Sequence, residues 1–455
     1  MKKTILTMGL AAALCGTSCS DVIDLNPGDR FSPATVWSST TTVDSYVLGL
    51  YSIFSSSCEF YGTGSPNLTD AYSDILKSGS WDQYNHSYNR SLFQESAFNS
   101  TSAGAFECWS THYERIRREN EFLRDAPKYR EKFGEKWMDT RIAEVRFCRA
   151  YAYYLLCRVY GGVILRTEVD GPEQNDKARS TEADCWDFII EELKDLAPQL
   201  PQGNKTENGD NWDDANYGRA TQQAAYGLLS RVALFAERWD VAAQAARDVE
   251  KCGGALDLTG YANVFNGDLK SNKEILFGVD FEQDVITHRY DAYVRPSGDA
   301  KALGTSALYS VFFPTSELAD SYEMADGTPF SWETHGSDPY TGREPRFYAT
   351  ILYNGASWMG RTIESYVGGA DGFKEYENSK SANTGYYLRK YLKDGDKSWI
   401  TAYSAQTCIL IRYAEVLLNK AEALAELSWD QNSVEALQAL NDVRGRVGLP
   451  SRQTA

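Results

Sequence analysis

Two irregular stretches contain the residues best equipped to hold a ligand. The first is Trp81-Asp82-Gln83-Tyr84-Asn85, with Asp74 and Arg90 nearby; the second comprises Tyr290, Tyr293, Arg295 and Trp332. Each sets flat rings beside carboxylate, amide or guanidinium groups. A ring can cover an apolar ligand face while the polar groups meet a hydroxyl-bearing rim. The expectation is that rings from both stretches face one shallow site. Core packing competes for every ring, and the loop setting favours Trp81 and Tyr84 over the helical Trp109, which reads as core.

Bond-making chemistry and metal binding find less support. The chain has no GxSxG elbow, phosphate-binding loop or dinucleotide-binding glycine pattern. A two-carboxylate hydrolase needs acids about 5–10 Å apart, and 63 acidic residues offer pairs without singling one out. None of the 9 cysteines falls in a CxxC pair, and the 4 histidines form no HExxH, so neither a zinc site nor a cofactor is expected. The acidic loop from Asn204 to Asn216 lacks EF-hand spacing and reads as solvated. Disulfide pairing cannot be read from the spacing. A formal charge of −17 excludes nucleic acid as a partner, because no basic patch is available for phosphates.

The elements that must position these residues are mostly helices. Apolar periodicity predicts helices over Thr40–Phe54, Ala105–Arg124, Lys136–Tyr160 (ending at Gly161-Gly162), Thr181–Leu196, Ala220–Ala236 and Asp240–Cys252. Thr181 with Asp184 resembles a capping box. Ile409–Leu427 reads as one amphipathic helix, with Leu410, Ala414, Leu417, Ala421 and Leu424 on one face. Arg412, Glu415, Asn419, Glu422 and Glu426 make the polar face. A second helix follows the caps at Asp430–Ser433, with Val434, Leu437, Leu440, Val443 and Val447 inward. Recurrent Ala-rich hairpins suggest tetratricopeptide-like stacking. Residues 253–404 are richer in Gly, Asp, Tyr and Trp and form an irregular insertion with strand-like fragments such as Ile275–Val279. The fold class is therefore mostly α: helical hairpins forming a scaffold, with an irregular loop-rich inserted subdomain.

The N-terminus carries a processing signal. Lys2 and Lys3 precede the apolar run Ile5–Leu14, which is too short to span a bilayer, and Gly16-Thr17-Ser18-Cys19 looks like a bacterial lipobox with Cys19 as the lipidated residue. Secretion with cleavage nearby is the alternative. The expected organisation is a signal peptide over 1–18, a lipidated tether over 19–39 and a helical region over 40–252. The irregular subdomain follows over 253–404, and a helical hairpin over 405–455.

A set of ordered landmarks resembles the SusD/RagB family of outer-membrane nutrient-binding lipoproteins of Bacteroidetes. They are Arg146–Val163 (RFCRAYAYYLLCRVYGGV), Tyr217–Ala225 (YGRATQQAA), Ser316–Gly327 (SELADSYEMADG), Asp338–Phe347 (DPYTGREPRF), Gly385–Tyr391 (GYYLRKY) and the stretch from Ile411 to Asn441–Pro450 (NDVRGRVGLP). The resemblance implies a non-catalytic, cell-surface protein of the outer membrane, held by its lipid alone. Its ligand would be an oligosaccharide, delivered to a SusC-like TonB-dependent outer-membrane transporter; a peptide ligand or a pure helical-repeat scaffold is the alternative. It also implies a further helical segment beyond Gly448-Leu449-Pro450, so the chain ending at Ala455 is expected to be truncated.

Overall fold

The structure is a computed structural model that describes residues 33–60, 68–78, 99, 101, 103–171, 176–203, 216–372 and 384–453. Two compact units are present, one up to Gly49 and one from Leu50 onward. In the first, helix α1 (Thr40–Leu50) begins with reciprocal bonds in which the Thr42 amide donates to Ser39 Oγ and the Ser39 amide to Thr42 Oγ1. The expected helix over Thr40–Phe54 does not run through. It ends at Leu50, and α2 (Ser52–Ser57) follows.

In the second unit, α3 (Trp109–Asp125), α4 (Glu135–Tyr160), α5 (Glu182–Leu196), α6 (Gln222–Phe235) and α7 (Trp239–Lys251) pack each against the next, and α13 (Tyr413–Gly445) closes on α6 and α7. The Thr181 cap is present, its hydroxyl accepting from the Asp184 amide. Small side chains set the spacing of these layers. Ala242, Ala243, Ala245 and Ala246 of α7 are all buried, and a Cβ added to Gly227 of α6 would lie 2.8 Å from Ile411 Cγ2. The turn after α4 needs both its glycines. Gly161 has φ +65°, and a Cβ on Gly162 would lie 2.3 Å from the Ser180 carbonyl oxygen.

Buried charge pairs tie the layers together, and several belong to the landmark motifs. Arg146 and Arg149 of α4 both bond Glu192 of α5, at 3.0 and 2.8 Å. Arg219 forms a buried pair with Glu144 at 3.0 Å, and the Tyr51 hydroxyl donates to the same carboxylate at 2.8 Å. In each of these pairs a charge meets its opposite, without which its desolvation would go uncompensated.

The irregular stretch supplies α8 (Tyr261–Asn266), α9 (Tyr290–Val294), α10 (Ser316–Ser321), α11 (Trp332–His335) and α12 (Pro345–Thr350). Its strands pair across long separations: β1 (Leu76–Ser78) with β3 (Phe312–Pro314), β2 (Ile275–Val279) with β6 (Cys408–Arg412), and β4 (Ile351–Leu352) with β5 (Tyr387–Leu388), all antiparallel. One core cluster gathers Phe60, Leu76, Tyr290, Tyr293, Phe313, Trp358, Tyr387 and Trp399. Cys58 and Cys408 are disulfide-bonded, fastening the chain after α2 to the start of β6.

Two expectations about the closing segment are corrected. Ile409–Arg412 is strand, because Ile275, Phe277, Gly278 and Val279 supply a ladder that local periodicity cannot foresee. The helix begins only at Tyr413. The residues expected on its polar face are mostly turned to partners: Glu415 to Arg231 at 2.6 Å and Asn419 to Ser230 at 3.1 Å, while the strand residue Arg412 pairs with Glu274 at 2.9 Å. Beyond the break at Ser428, the inward face is Ala436, Ala439 and Val443. Val434, expected inward, is 82% exposed.

Candidate functional site

The structure separates the expected site residues into three groups. Trp81, Tyr84, Asn85 and Arg90 lie outside the described residues. Asp74 is exposed just before β1, and its backbone carbonyl accepts from Thr315 Oγ1. Ser78, the last residue described before that stretch, pairs with Phe312.

Tyr290, Tyr293 and Arg295 are core residues, against the expectation that they line an open site. The tyrosines are 3% exposed and Arg295 is fully buried. Tyr290 packs on Phe60 at 4.5 Å and donates its hydroxyl to the Lys390 carbonyl at 3.0 Å. Arg295 lies between the rings of Trp358 and Trp399, at 5.4 and 5.2 Å, and is neutralised by Asp291 at 2.8 Å. The same buried network includes Asp299 and Asp371, bridged by Arg361 at 2.6 and 2.7 Å. The correction has a geometric cause. α9 is a five-residue helix buried on all sides, and its Gly- and Asp-rich flanks look like surface loop only in one dimension.

Trp332 is the expected ring that the structure leaves available. It is 49% exposed, at the start of α11, where Ser331 Oγ caps by accepting from the Glu333 amide. Its orientation is held from two sides. Nε1 donates to Asp320 Oδ2 of α10 at 2.8 Å, and Phe330 meets the ring edge-on at 5.4 Å. Phe330 is itself stacked on His335 and covered by the Arg343 guanidinium 3.9 Å from its centroid. Asp320 Oδ1 is buried with no hydrogen-bond partner among the described residues. The result is a fixed aromatic face rimmed by a carboxylate.

A second exposed ring, Tyr403, lies far in sequence from the buried tyrosines but meets the residue just before Tyr290. His288 and Ser404 exchange both backbone bonds at 2.8 Å, which brings Arg289 beside Tyr403. The guanidinium sits 4.6 Å from the Tyr403 centroid and donates to its hydroxyl at 2.9 Å. That bond, more than any other influence, raises the arginine above its ordinary pKa. Gln283 Nε2 donates to the Tyr403 carbonyl at 3.2 Å, and Tyr403 takes the left-handed φ of 62°. Tyr309, half-buried, stacks on Tyr293 at 4.6 Å and is electrostatically coupled to Arg289. Sequence reasoning missed Arg289, Tyr309 and Tyr403. Their adjacency to Tyr290 and to an irregular WITAYS stretch was the available signal, but nothing local tells which side of such a segment faces out. Both exposed groups combine a ring face with directional polar groups, a combination suited to binding a hydroxylated ligand.

Comparison with known proteins agrees on one family. Residues 23–234 match a family model described as "Starch-binding associating with outer membrane", and residues 273–455 match the SusD family model. A SusD-like protein of Bacteroides ovatus is 23% identical, the match covering 100% of this chain and 78% of that protein. SusD-like protein P2 of Formosa agariphila is 24% identical over 99% of this chain and 83% of its own length. Among solved structures, a SusD-like protein from Bacteroides fragilis has a TM-score of 0.76 at 29% identity, covering 93% of this chain and 82% of that one. A SusD-like carbohydrate binding protein from the same species has a TM-score of 0.75 at 26% identity, covering 92% and 81%.

Proposed function

This chain belongs to the SusD/RagB family, and on that premise we propose that it captures an oligosaccharide at the bacterial surface and passes it to a SusC-like TonB-dependent transporter. The family's members are binding proteins, which agrees with the ring platforms. Cys19 would carry the lipid anchor; it lies outside the described residues. Among the described residues no helix is long and apolar enough to cross a membrane.

The observation that carries this reading is the half-exposed Trp332 ring, locked by Asp320 and Phe330. A preoriented ring loses little freedom on stacking against a sugar face, so more of the contact appears as affinity. Tyr403 with Arg289 is the second platform, and the Trp81–Asn85 stretch remains a candidate contributor to the site. The test is titration of a panel of neutral α- and β-glucan oligosaccharides against the protein and Trp332→Ala. At least one should bind, and the variant should bind it tenfold or more weakly. Equal affinity would remove Trp332 from the site. A panel that binds nowhere, while peptides do, would replace the glycan reading with the peptide one.

A further inference from the structure

A cavity of about 330 Å³ opens between α8, α12 and the turn that follows β5, formed by residues other than those of the two ring platforms. Phe265 and Asn266 come from α8, Tyr348 from α12, and Arg389, Lys390 and Tyr391 from the turn. Its volume falls in the range of small-molecule sites.

Three features of its lining point the same way. The first is uncompensated positive charge. Lys390 Nζ lies 4.2 Å from the Phe265 centroid, and Arg389 donates to the Tyr348 carbonyl at 3.2 Å. Neither cation forms an ion pair among the described residues, although the chain carries a net charge of −17 and ion-pairs arginines throughout its helical layers. Asp394, the acid at the rim, has one oxygen accepting from the Met359 amide at 3.0 Å. The second feature is an unmet acceptor: Asn266 Oδ1 is buried without a hydrogen-bond partner among the described residues. The third is backbone strain at the wall. Tyr391 holds φ at 67°, a region that bulky side chains rarely occupy, and rings from Phe60, Phe265 and Tyr290 pack around it at 4.9, 5.2 and 5.8 Å. Strain kept at a cavity wall is a recurrent property of ligand sites.

We propose that this cavity binds a carboxylated pyranose, a uronic acid or a uronate end of a chain. The paired cations take the carboxylate, with the planar Arg389 guanidinium suited to a two-oxygen contact. The half-buried Tyr348 offers an apolar face for the ring, Phe265 seats the Lys390 ammonium, and Asn266 Oδ1 accepts from a hydroxyl. The inference stands apart from the surface reading above, which neutral oligosaccharides test.

Calorimetric titration of the full chain with glucuronate, galacturonate, glucose, galactose and acetate is the experiment. One uronate is expected to bind at least tenfold tighter than both its neutral parent and acetate, and to weaken tenfold or more between 50 and 500 mM salt, roughly as a screened two-cation contact requires. Lys390→Met, which keeps the aliphatic stem over Phe265, should cost at least tenfold, and Asn266→Leu should also weaken binding. The proposal is overturned if no uronate binds at millimolar concentration, if acetate or the neutral sugar binds as well, or if both variants bind like the parent. Should Lys390→Met lose its far-ultraviolet spectrum, the ligand series on the unmodified chain and Asn266→Leu decide the matter.

Discussion

Glu119 makes stability depend on pH in a calculable way. It sits on α3, fully buried, and neither of its carboxyl oxygens has a hydrogen-bond partner among the described residues. Desolvation raises its pKa to about 8, against the smaller opposing pull of Arg149 and Arg115. The folded-state value lies above the unfolded one, so the stabilisation is complete below the unfolded pKa and is lost as pH rises through the folded one. Between those values the folded chain holds a proton that the unfolded chain has released, and stability falls by about 1.4 kcal/mol per pH unit. His112 and His288, each lowered to about 4 by burial, work in the opposite direction below the ordinary histidine pKa. Above the ordinary histidine pKa, over about pH 6.5 to 8, Glu119 contributes a loss of roughly 2 kcal/mol. Glu119→Gln keeps the shape and removes the titration. Urea unfolding followed by circular dichroism at several pH values in this window should show the parent weakening and the variant changing by that much less. Glu59 and Asp280 are also raised by burial, and the parent-minus-variant difference isolates Glu119 from them. Equal slopes in the two proteins would refute this account of the buried carboxyl.

Two further outcomes test the packing. Arg295→Met should leave Asp291 buried without its counter-charge and cost on the order of 3–5 kcal/mol, read as lost soluble yield or a lower midpoint; a stable variant with reduced ligand affinity would instead restore Arg295 to the binding site. Gly162→Ala drives a Cβ toward a backbone oxygen that cannot swing away, so a loss of about 1–3 kcal/mol is expected in thermal unfolding. No change there would mean that the turn after α4 relaxes freely.

Local rules were enough for most of the helical scaffold. The long helices α4, α5, α6 and α7 begin and end within a few residues of their predicted limits, because apolar spacing, the Thr181 cap and the Gly161-Gly162 turn act through neighbours in sequence. The ordered landmarks identified the family for a similar reason. Arg146, Arg149 and Arg219 answer to buried carboxylates that the fold demands. The tertiary structure alone decided the rest. Ile409–Arg412 carries a helical pattern and forms a strand because β2, more than a hundred residues earlier, offers hydrogen bonds. Trp332 and Tyr293 sit in similar-looking company; one is an open platform and the other is core, since exposure depends on what packs against a short segment from elsewhere in the chain. Arg289 and Tyr403 meet only through the backbone bridge between His288 and Ser404. Periodicity is a property of neighbours, whereas a binding surface is a property of distant residues brought together, and burial is settled only when they meet.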